Sequence, residues 1–221
     1  MTDPSSNTTS SSLPLDARSW GYAEDFVRPD ERIRDARNQA VELGIETISN
    51  GTVAALRFLA RMVQAKAVVE IGTGSGVSGL ALYEGMGSEG IITSIDPQSD
   101  RQATARKEFT DAGIRSNRIR LIAGTPLDVL PKLRDGAYDL VFINGDKLEY
   151  VEYVAQALRL LRHGGVVVLH DALWQNKVAD PDNEDDETVI IREALAAVEQ
   201  TEEFTSLLLP VGDGLLAAIK A

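Results

Sequence analysis

The stretch VVEIGTGSGVSG, residues 68–79, decides the fold of this 221-residue chain. It begins as a run of β-branched residues, which favour strands, and then passes through glycines at positions 72, 74 and 76. Glycines at these positions allow a ligand to lie against the backbone. The helix-like sequence that follows would present open N–H groups, which attract a carboxylate or a phosphate. The stretch therefore predicts a strand, a ligand-binding turn and a helix, in that order.

The same alternation of strand and helix continues along the chain. Short apolar runs predict strands at 67–71, 91–95, 119–123, 138–143 and 165–170. Helices are predicted to about residue 86 and at about 99–112, 127–133, 148–162 and 188–200. Strands that alternate with helices imply βαβ units and a parallel sheet that helices cover on both faces. The predicted fold class is therefore α/β.

Both ends of the chain depart from this alternation. Near the C-terminus, FTSLLLPV and GLLAAIK flank a GDG turn, and this spacing predicts a hairpin with one antiparallel strand. Near the N-terminus, residues 16–63 have helical periodicity, and Gly44 is expected to end one of the helices. Residues 1–14 are rich in Ser, Thr, Asn and Pro, which predicts a disordered tail and leaves one domain at 15–221.

The composition excludes several classes of function. The chain has 22 basic and 34 acidic residues and no dense Lys/Arg run, so a nucleic acid is not an expected partner. It contains no cysteine, which excludes a disulfide scaffold and a thiolate metal site. It contains no run of 18 apolar residues, and its N-terminal sequence lacks the features of a signal peptide. We therefore expect no membrane partner and a cytoplasmic protein.

Two acidic residues indicate which ligand the glycine turn takes. Glu70 precedes the glycines, where it could accept from a cationic amine, and Ser78 could add a hydroxyl donor. Asp96 ends the second strand, twenty residues after Gly76, and an acid there typically accepts two ribose hydroxyls. S-adenosylmethionine carries both an ammonium group and a ribose. The segment 74–79 also matches G-x-G-x-x-G, so an NAD(P)-dependent oxidoreductase is an alternative, although NAD has no amine for Glu70.

Taken together, several motifs resemble one family. They are VVEIGTGSGVSGLAL, ITSIDP, YDLVFINGDKLEYVEYVAQALRLLRHGGVVVLHDALW and LPVGDGLLAAIK, and the resemblance covers about residues 20–221. The chain resembles the class I S-adenosylmethionine-dependent methyltransferases. Within these it is similar to the cation-dependent O-methyltransferases of the catechol and caffeoyl-CoA type, and to actinobacterial members of that group.

The resemblance implies a fold, an activity and an assembly. The fold would be a doubly wound, mostly parallel seven-stranded sheet with a C-terminal antiparallel hairpin and extra N-terminal helices, the Rossmann-like methyltransferase fold. The activity would be transfer of a methyl group from S-adenosylmethionine to a hydroxyl of a small phenolic or catecholic acceptor. The assembly would be a homodimer. An S-adenosylmethionine-binding protein that has lost the cation-assisted catalysis of the family remains an alternative.

Carried over by position, the resemblance also implies a set of cofactor-binding residues. The glycine turn, with Glu70 and Ser78, would contact the methionine half of the cofactor, and Asp96 would hold the ribose. The backbone near Ile48 would close over the cofactor, and Gly124 would lie near the adenine. The full implied set is Ile48, Glu70, Gly72, Thr73, Gly74, Gly76, Ser78, Asp96, Gly124 and Asn144.

The segment INGDK, residues 143–147, matches the catalytic stretch of the family only in part. In relatives, an Asp at the position of Asn144 and an Asp–Asn pair at the positions of Asp171 and Ala172 bind a divalent cation such as Mg²⁺. Here Asn144 and Asp171 could still act as metal ligands, whereas Ala172 has no ligand atom. The implied catalytic residues are Lys147, Asp171 and Asn144, with Lys147 as a base. The requirement for a cation stays open.

Other interpretations of these residues need no catalysis. Lys147 could be a solvated side chain at a helix start, and Asp171 could be a helix N-cap. His170 could be a base or a hydrogen-bonded structural residue. Trp174 could line the acceptor pocket or simply pack, and Asp146 could assist metal binding if the chain stays extended there.

Overall fold

The structure is a computed structural model that describes residues 16–87 and 89–221, so the predicted disordered tail at 1–14 lies outside the described residues. Seven strands form one sheet. They are β1 (Ala67–Ile71), β2 (Ile91–Asp96), β3 (Ile119–Ala123), β4 (Tyr138–Ile143), β5 (Leu161–His170), β6 (Phe204–Leu209) and β7 (Leu215–Lys220).

Helices cover both faces of this sheet, and three of those described precede β1 in the sequence. They are α1 (Ala17–Glu24), α2 (Glu31–Glu42), α3 (Asn50–Met62), α4 (Val77–Gly85), α5 (Ser99–Asp111), α6 (Pro126–Val129), α7 (Tyr150–Leu160) and α8 (Asp186–Gln200). Short 3₁₀ turns lie at Ser116–Arg118, Leu130–Lys132, Lys147–Glu149 and Lys177–Ala179. Within the described residues, no helix combines the length and the apolar character that a membrane crossing requires.

The strand order is β3-β2-β1-β4-β5-β7-β6. Strands β1 to β5 are parallel, and β7 runs antiparallel between β5 and β6. This arrangement confirms the predicted doubly wound sheet with an antiparallel hairpin. The chain leaves β1 toward β2 on one side, and β4 lies on the other, so the strand order reverses at the carboxyl ends of β1 and β4. Ligands of open α/β sheets bind at such a switch point.

Alternation along the strands divides the core into two layers. Val68 faces a cluster that includes residues of α2, α3, α4 and α5, whereas its neighbour Val69 faces a cluster built with α7 and α8. Successive strand residues point to opposite faces, so both faces of the central strands are buried, as their continuous apolar sequences predict. The sheet is therefore covered on both sides, and its carboxyl edge is left for a ligand.

In the described part of the chain, helices α1, α2 and α3 precede β1. Asp30 caps α2 and Ser49 caps α3 through side-chain bonds to backbone N–H groups, and Gly44, with φ of +64°, follows the end of α2 as predicted. The carboxylate of Glu24, the last residue of α1, accepts from the N–H groups of Gly51 and Gly212 at 2.9 and 2.5 Å. The first helix thereby joins the start of α3 to the turn before β7.

Predicted boundaries were wrong in two places, the α7–β5 junction and the end of α6. Strand β5 begins at Leu161 instead of 165, because Leu161 pairs with Tyr138 of β4 across an irregularity in the ladder. Helix α7 consequently ends at Leu160. The helix predicted at 127–133 is shorter than expected, since α6 ends at Val129 and a 3₁₀ turn follows it. Neither change moves the carboxyl ends of the central strands.

Candidate active site

The glycine turn follows β1 and is fixed by close backbone contacts. The N–H of Gly72 donates to the carbonyl of Ile95 at 2.8 Å, and its φ of +92° lies in the region that favours glycine. A Cβ at position 72 would lie 2.1 Å from the carbonyl oxygen of Asn144. Gly76, with φ of +93°, precedes the first turn of α4. Strand, turn and helix thus follow one another as the sequence predicts.

Asp96 holds the turn from the end of β2. Its Oδ2 accepts from the N–H groups of Thr73 and Gly74 at 3.0 and 3.2 Å, and its Oδ1 accepts from Gln98 N–H at 2.8 Å. A carboxylate has roughly four acceptor positions, so one position remains for a ribose hydroxyl. The prediction that Asp96 binds the ribose stays a prediction, and the structure adds a second task for this carboxylate, which is to order the turn.

Glu70 does not reach the surface of the turn. Its two carboxylate oxygens accept from the hydroxyls of Ser78 and Ser94 at 2.6 and 2.5 Å, and the residue is 0% exposed. The predicted direct contact with the cofactor amine stays a prediction. The carboxylate is buried in this conformation because Glu70 points into the same layer as Val68. Burial raises the pKa of Glu70 to about 7, although the two hydroxyl bonds oppose the shift.

This raised pKa predicts a pH dependence of stability. The pKa of Glu70 rises from 4.5 to about 7 on folding, so its contribution is fully present below about pH 4.5 and is lost as the pH rises through 7. The loss amounts to about 3 kcal/mol. We expect the Glu70→Gln variant to lack this component. Urea unfolding of both proteins between pH 4.5 and 8 measures it, and parallel pH curves would contradict the prediction.

Residues beneath the turn form a polar network that the sequence did not reveal. Ser94 faces Glu70 across the β1–β2 ladder, and its hydroxyl also lies 2.7 Å from the Thr73 hydroxyl. The side-chain amide of Gln102, on α5, donates to Thr73 Oγ1 at 3.1 Å and to the carbonyl of Ser94 at 3.2 Å. The one available signal was a pair of polar residues, TS, inside the apolar strand IITSID. The network makes the turn rigid.

An irregular segment covers the turn. Residues 46–48 line a cavity of about 20 Å³ together with the glycine turn, Ser78 and Asn144. Arg37 donates to the carbonyl of Ile48 at 2.7 Å and so ties the segment to α2. In this conformation the cavity has room for about one water molecule. The structure thus brings Ile48, Asn144 and the glycine turn together, as predicted for the cofactor site.

Asn144 and His170 end neighbouring strands at the switch point. Their strands pair in parallel with Ile143 opposite Leu169, which places the two side chains side by side. His170 Nδ1 lies 3.0 Å from Asn144 Oδ1, and also 3.0 Å from Asp171 Oδ1. Both partners accept, so Nδ1 carries the proton. His170 is therefore hydrogen-bonded, as in the structural interpretation.

Asp171 is not a helix cap. No helix begins at this position, because the following segment is tied to the turn before β7, with Ala172 N–H bonded to Gly214 O at 3.0 Å. Asp171 has φ of +54°, and its Oδ2 lies 2.7 Å from Lys147 Nζ. Burial would raise its pKa, but the bonds and charges of His170 and Lys147 outweigh burial and lower the pKa to about 2.

Lys147 is held between aromatic rings rather than solvated. Its side chain is 12% exposed, and Nζ lies 5.0 Å from the ring centroid of Tyr150 and 5.5 Å from that of Trp174. Both distances suit cation–π contacts. Asp146 Oδ1 accepts from Leu148 N–H at 3.0 Å, and this bond caps the 3₁₀ turn that follows. A role for Asp146 in metal binding stays a prediction.

Gly124 lies at the same edge of the sheet, after β3. Its N–H donates to the carbonyl of Asp96 at 3.1 Å, which places it beside the end of β2. Strands β1, β2, β3, β4 and β5 thus all contribute predicted site residues to one edge. Like the polar network beneath the turn, the buried orientation of Glu70 and the chain of contacts from Asn144 through His170 to Asp171 were not predicted.

Comparisons with known proteins identify the family. The family model described as O-methyltransferase matches residues 29–221. A Mycobacterium ulcerans (strain Agy99) protein named as an O-methyltransferase is 40% identical over 220 residues, which are 99% of this chain and 98% of that protein. A protein of Corynebacterium glutamicum has a crystal structure with a TM-score of 0.84 and 32% identity, covering 90% of this chain and 94% of that chain.

A second solved structure contains the cofactor. TomG of Streptomyces achromogenes, an O-methyltransferase involved in tomaymycin synthesis, was crystallised in complex with S-adenosylmethionine. It is 25% identical, with a TM-score of 0.82, and the match covers 94% of this chain and all of that chain. These matches argue against the oxidoreductase alternative. By family model, sequence identity and fold, this chain belongs to the O-methyltransferase family, the S-adenosylmethionine-dependent enzymes that methylate hydroxyl oxygens.

Proposed function

We propose that this protein transfers the methyl group of S-adenosylmethionine to a hydroxyl of a small phenolic or catecholic acceptor. The observation that supports it best is the rigid glycine turn at the switch point, with Asp96 behind it and Asn144 beside it. Gly72 leaves no room for a side chain at the turn, and the irregular segment 46–48 lies above it as a cover. These residues suit a ligand with a nucleoside and an amino acid part.

Each group of this site has a task in binding. When bound, S-adenosylmethionine supplies a methyl group activated on a positively charged sulfur. Asp96 accepts from the ribose, and the amide oxygen of Asn144 accepts from the amine of the methionine half. The buried Glu70 acts indirectly, because its bond fixes the hydroxyl of Ser78 at the start of α4. The turn and its cover thereby hold the methyl group in line with the acceptor, which accounts for most of the acceleration of a displacement reaction.

The acceptor lies next to Lys147 and Asp171 in this proposal. The indole of Trp174 contacts Lys147, and its buried Nε1 has no hydrogen-bond partner among the described residues. A bound hydroxyl oxygen would satisfy this N–H. Aromatic side chains around Lys147 also favour a flat, aromatic acceptor. These contacts support a phenolic substrate.

Binding of the cofactor is tested by Asp96→Asn. The amide keeps the size of the side chain but presents an NH₂ group to backbone donors and ribose hydroxyls. We expect the affinity for S-adenosylmethionine to fall about 30-fold in isothermal titration, which corresponds to about 2 kcal/mol. Asp128→Asn, on the exposed side of α6, is the matched control and should bind like the wild type. Unchanged affinity in a folded Asp96→Asn protein would refute the assignment.

Catalysis is tested by turnover. A panel of catechols and monophenols is incubated with S-adenosylmethionine, and S-adenosylhomocysteine is quantified. Release that depends on an acceptor supports the methyltransferase. Tight cofactor binding without turnover of any member would instead favour the alternative of a binding protein that has lost catalysis.

We also propose a homodimer, as the family resemblance implies. Helix α3 supports it, because Phe58 and Met62, one turn apart, are 66% and 50% exposed. Light scattering after size exclusion gives the mass directly, and a mass near the 23.9 kDa of one chain would argue against a dimer.

A further inference from the structure

We infer that this enzyme methylates without a divalent cation, because the ammonium group of Lys147 takes the place that the cation has in relatives. The inference rests on the proposed function. The family resemblance implies two Asp ligands and one Asn ligand for the cation. At the carboxyl ends of β4 and β5, this chain has Asn144, Asp171 and Ala172 instead. Three positions decide it, and together they do not offer the ligands that Mg²⁺ requires.

Asp171 is the one carboxylate of the expected set, and both of its oxygens are engaged. Oδ1 lies 3.0 Å from His170 Nδ1, and Oδ2 lies 2.7 Å from Lys147 Nζ. A magnesium ion binds its ligands at about 2.0–2.1 Å and demands near-octahedral geometry. The Lys147 ammonium on the same carboxylate would also repel the magnesium ion. Asp171 is thus already neutralised by the protein itself.

The other two positions offer little. Asn144 presents a neutral amide oxygen, and that oxygen lies 3.0 Å from His170 Nδ1. Ala172 is 0% exposed and provides only a methyl group where the family has an amide. Among residues 16–87 and 89–221, no cluster of three or more His, Cys, Asp or Glu side chains could hold a metal ion. The donor set therefore does not fit a hard cation.

In relatives, the cation places a fixed positive charge beside the reacting oxygen. In this protein, the ammonium of Lys147 supplies that charge instead. Its ammonium is held by Asp171 and by two aromatic faces, and it is largely shielded from water. A charge so placed stabilises the deprotonated acceptor. The proton of the acceptor hydroxyl leaves to solvent water. The oxygen then forms the O–CH₃ bond as the S–CH₃ bond breaks, and the electron pair stays on sulfur as the neutral thioether.

The test measures metal binding directly, with Mn²⁺ alone as the probe. The electron paramagnetic resonance signal of free Mn²⁺ disappears when the ion binds to protein. We expect the wild-type protein to leave the signal unchanged. The variant N144D/A172N restores a carboxylate and an amide oxygen, so it should bind Mn²⁺ at least about tenfold more tightly. N144D alone is the milder variant, and circular dichroism checks that each protein is folded.

Two outcomes would overturn the inference. The first is that the wild-type protein binds one Mn²⁺ per chain, seen as loss of the free-ion signal, and that the Asp171→Asn variant does not. The other is turnover that is abolished by EDTA and restored by Mg²⁺, whereas equal rates with EDTA and with Mg²⁺ support the inference. The resonance measurement needs no acceptor, so it decides the inference even if no substrate is found. Failure of the proposed function would appear separately, as missing turnover or missing binding of S-adenosylmethionine.

Discussion

Replacing Gly72 by alanine is expected to lower the free energy of unfolding by about 4 kcal/mol and to weaken S-adenosylmethionine binding by more than about 100-fold. The added Cβ would lie 2.1 Å from the carbonyl oxygen of Asn144 and 2.7 Å from its carbonyl carbon. These are backbone atoms, so no side-chain rotation relieves the overlap. The φ of +92° adds strain, because side chains other than hydrogen avoid this region.

The loss of affinity follows from the same contact. The backbone of Asn144 has to move away from the turn, and with it the end of β4 that carries Asn144 and Lys147. Both sides of the cofactor site then separate, so the cofactor loses contacts that depend on their spacing. Few single substitutions in this protein should affect both stability and binding so strongly.

The matched control for this experiment is Gly136→Ala. Gly136 has φ of +60°, so alanine is strained there too, but no heavy atom lies within 4 Å of the position of its Cβ. We expect it to cost only about 1 kcal/mol and to leave cofactor binding unchanged. Urea unfolding and isothermal titration measure both quantities. If Gly72→Ala has the same stability and cofactor affinity as Gly136→Ala, then neither quantity depends on the close packing of the turn against β4.

Replacing Lys147 by methionine is expected to lower kcat by about 100- to 1,000-fold while the affinity for S-adenosylmethionine stays unchanged. Methionine retains the apolar length of the side chain and its contacts with Tyr150 and Trp174, but it removes the charge beside Asp171. The effect falls on kcat because the charge acts on the acceptor oxygen, whose negative charge is present only as the reaction proceeds.

Lys132→Met, at an exposed position that ends a 3₁₀ turn, serves as the control and should retain the wild-type kcat. Steady-state kinetics with the best acceptor of the panel give kcat and KM, and titration gives the cofactor affinity. A Lys147→Met enzyme with kcat within about twofold of wild type would remove this residue from the chemistry. A loss confined to cofactor affinity would assign it to binding.

Much of the fold could be predicted because the central strands are buried on both faces. The runs AVVEI and YDLVFI coincide with β1 and β4, since a continuous apolar run has few alternatives in a protein of this size. The start of β5 was not predictable, because LRHGG is neither apolar nor β-branched. Leu161 is a strand residue only because Tyr138 is opposite to it, and such a pairing is a property of the assembled sheet.

The candidate site was predictable as a set of positions but not as a set of contacts. The apolar runs placed Asp96, Asn144 and Asp171 at or just after the carboxyl ends of their strands, and the family resemblance implied their roles. Strand parity sets the layer into which Glu70 points, but its bond to Ser94 joins two strands, and a single sequence does not show cross-strand neighbours. The conformation of Asp171 likewise depends on the turn before β7, some forty residues later. Local patterns contain no information about these long-range partners.

The position of β7 has a consequence for biosynthesis. The last of the seven strands to leave the ribosome is an inner strand, and until it arrives the apolar β5 has an unpaired edge. Unpaired apolar edges attract other chains, so prematurely terminated translation products of this enzyme are expected to aggregate or to require a chaperone. Acquisition of the native state is therefore a late event, and the first helix can dock through Glu24 only after Gly212 has been made.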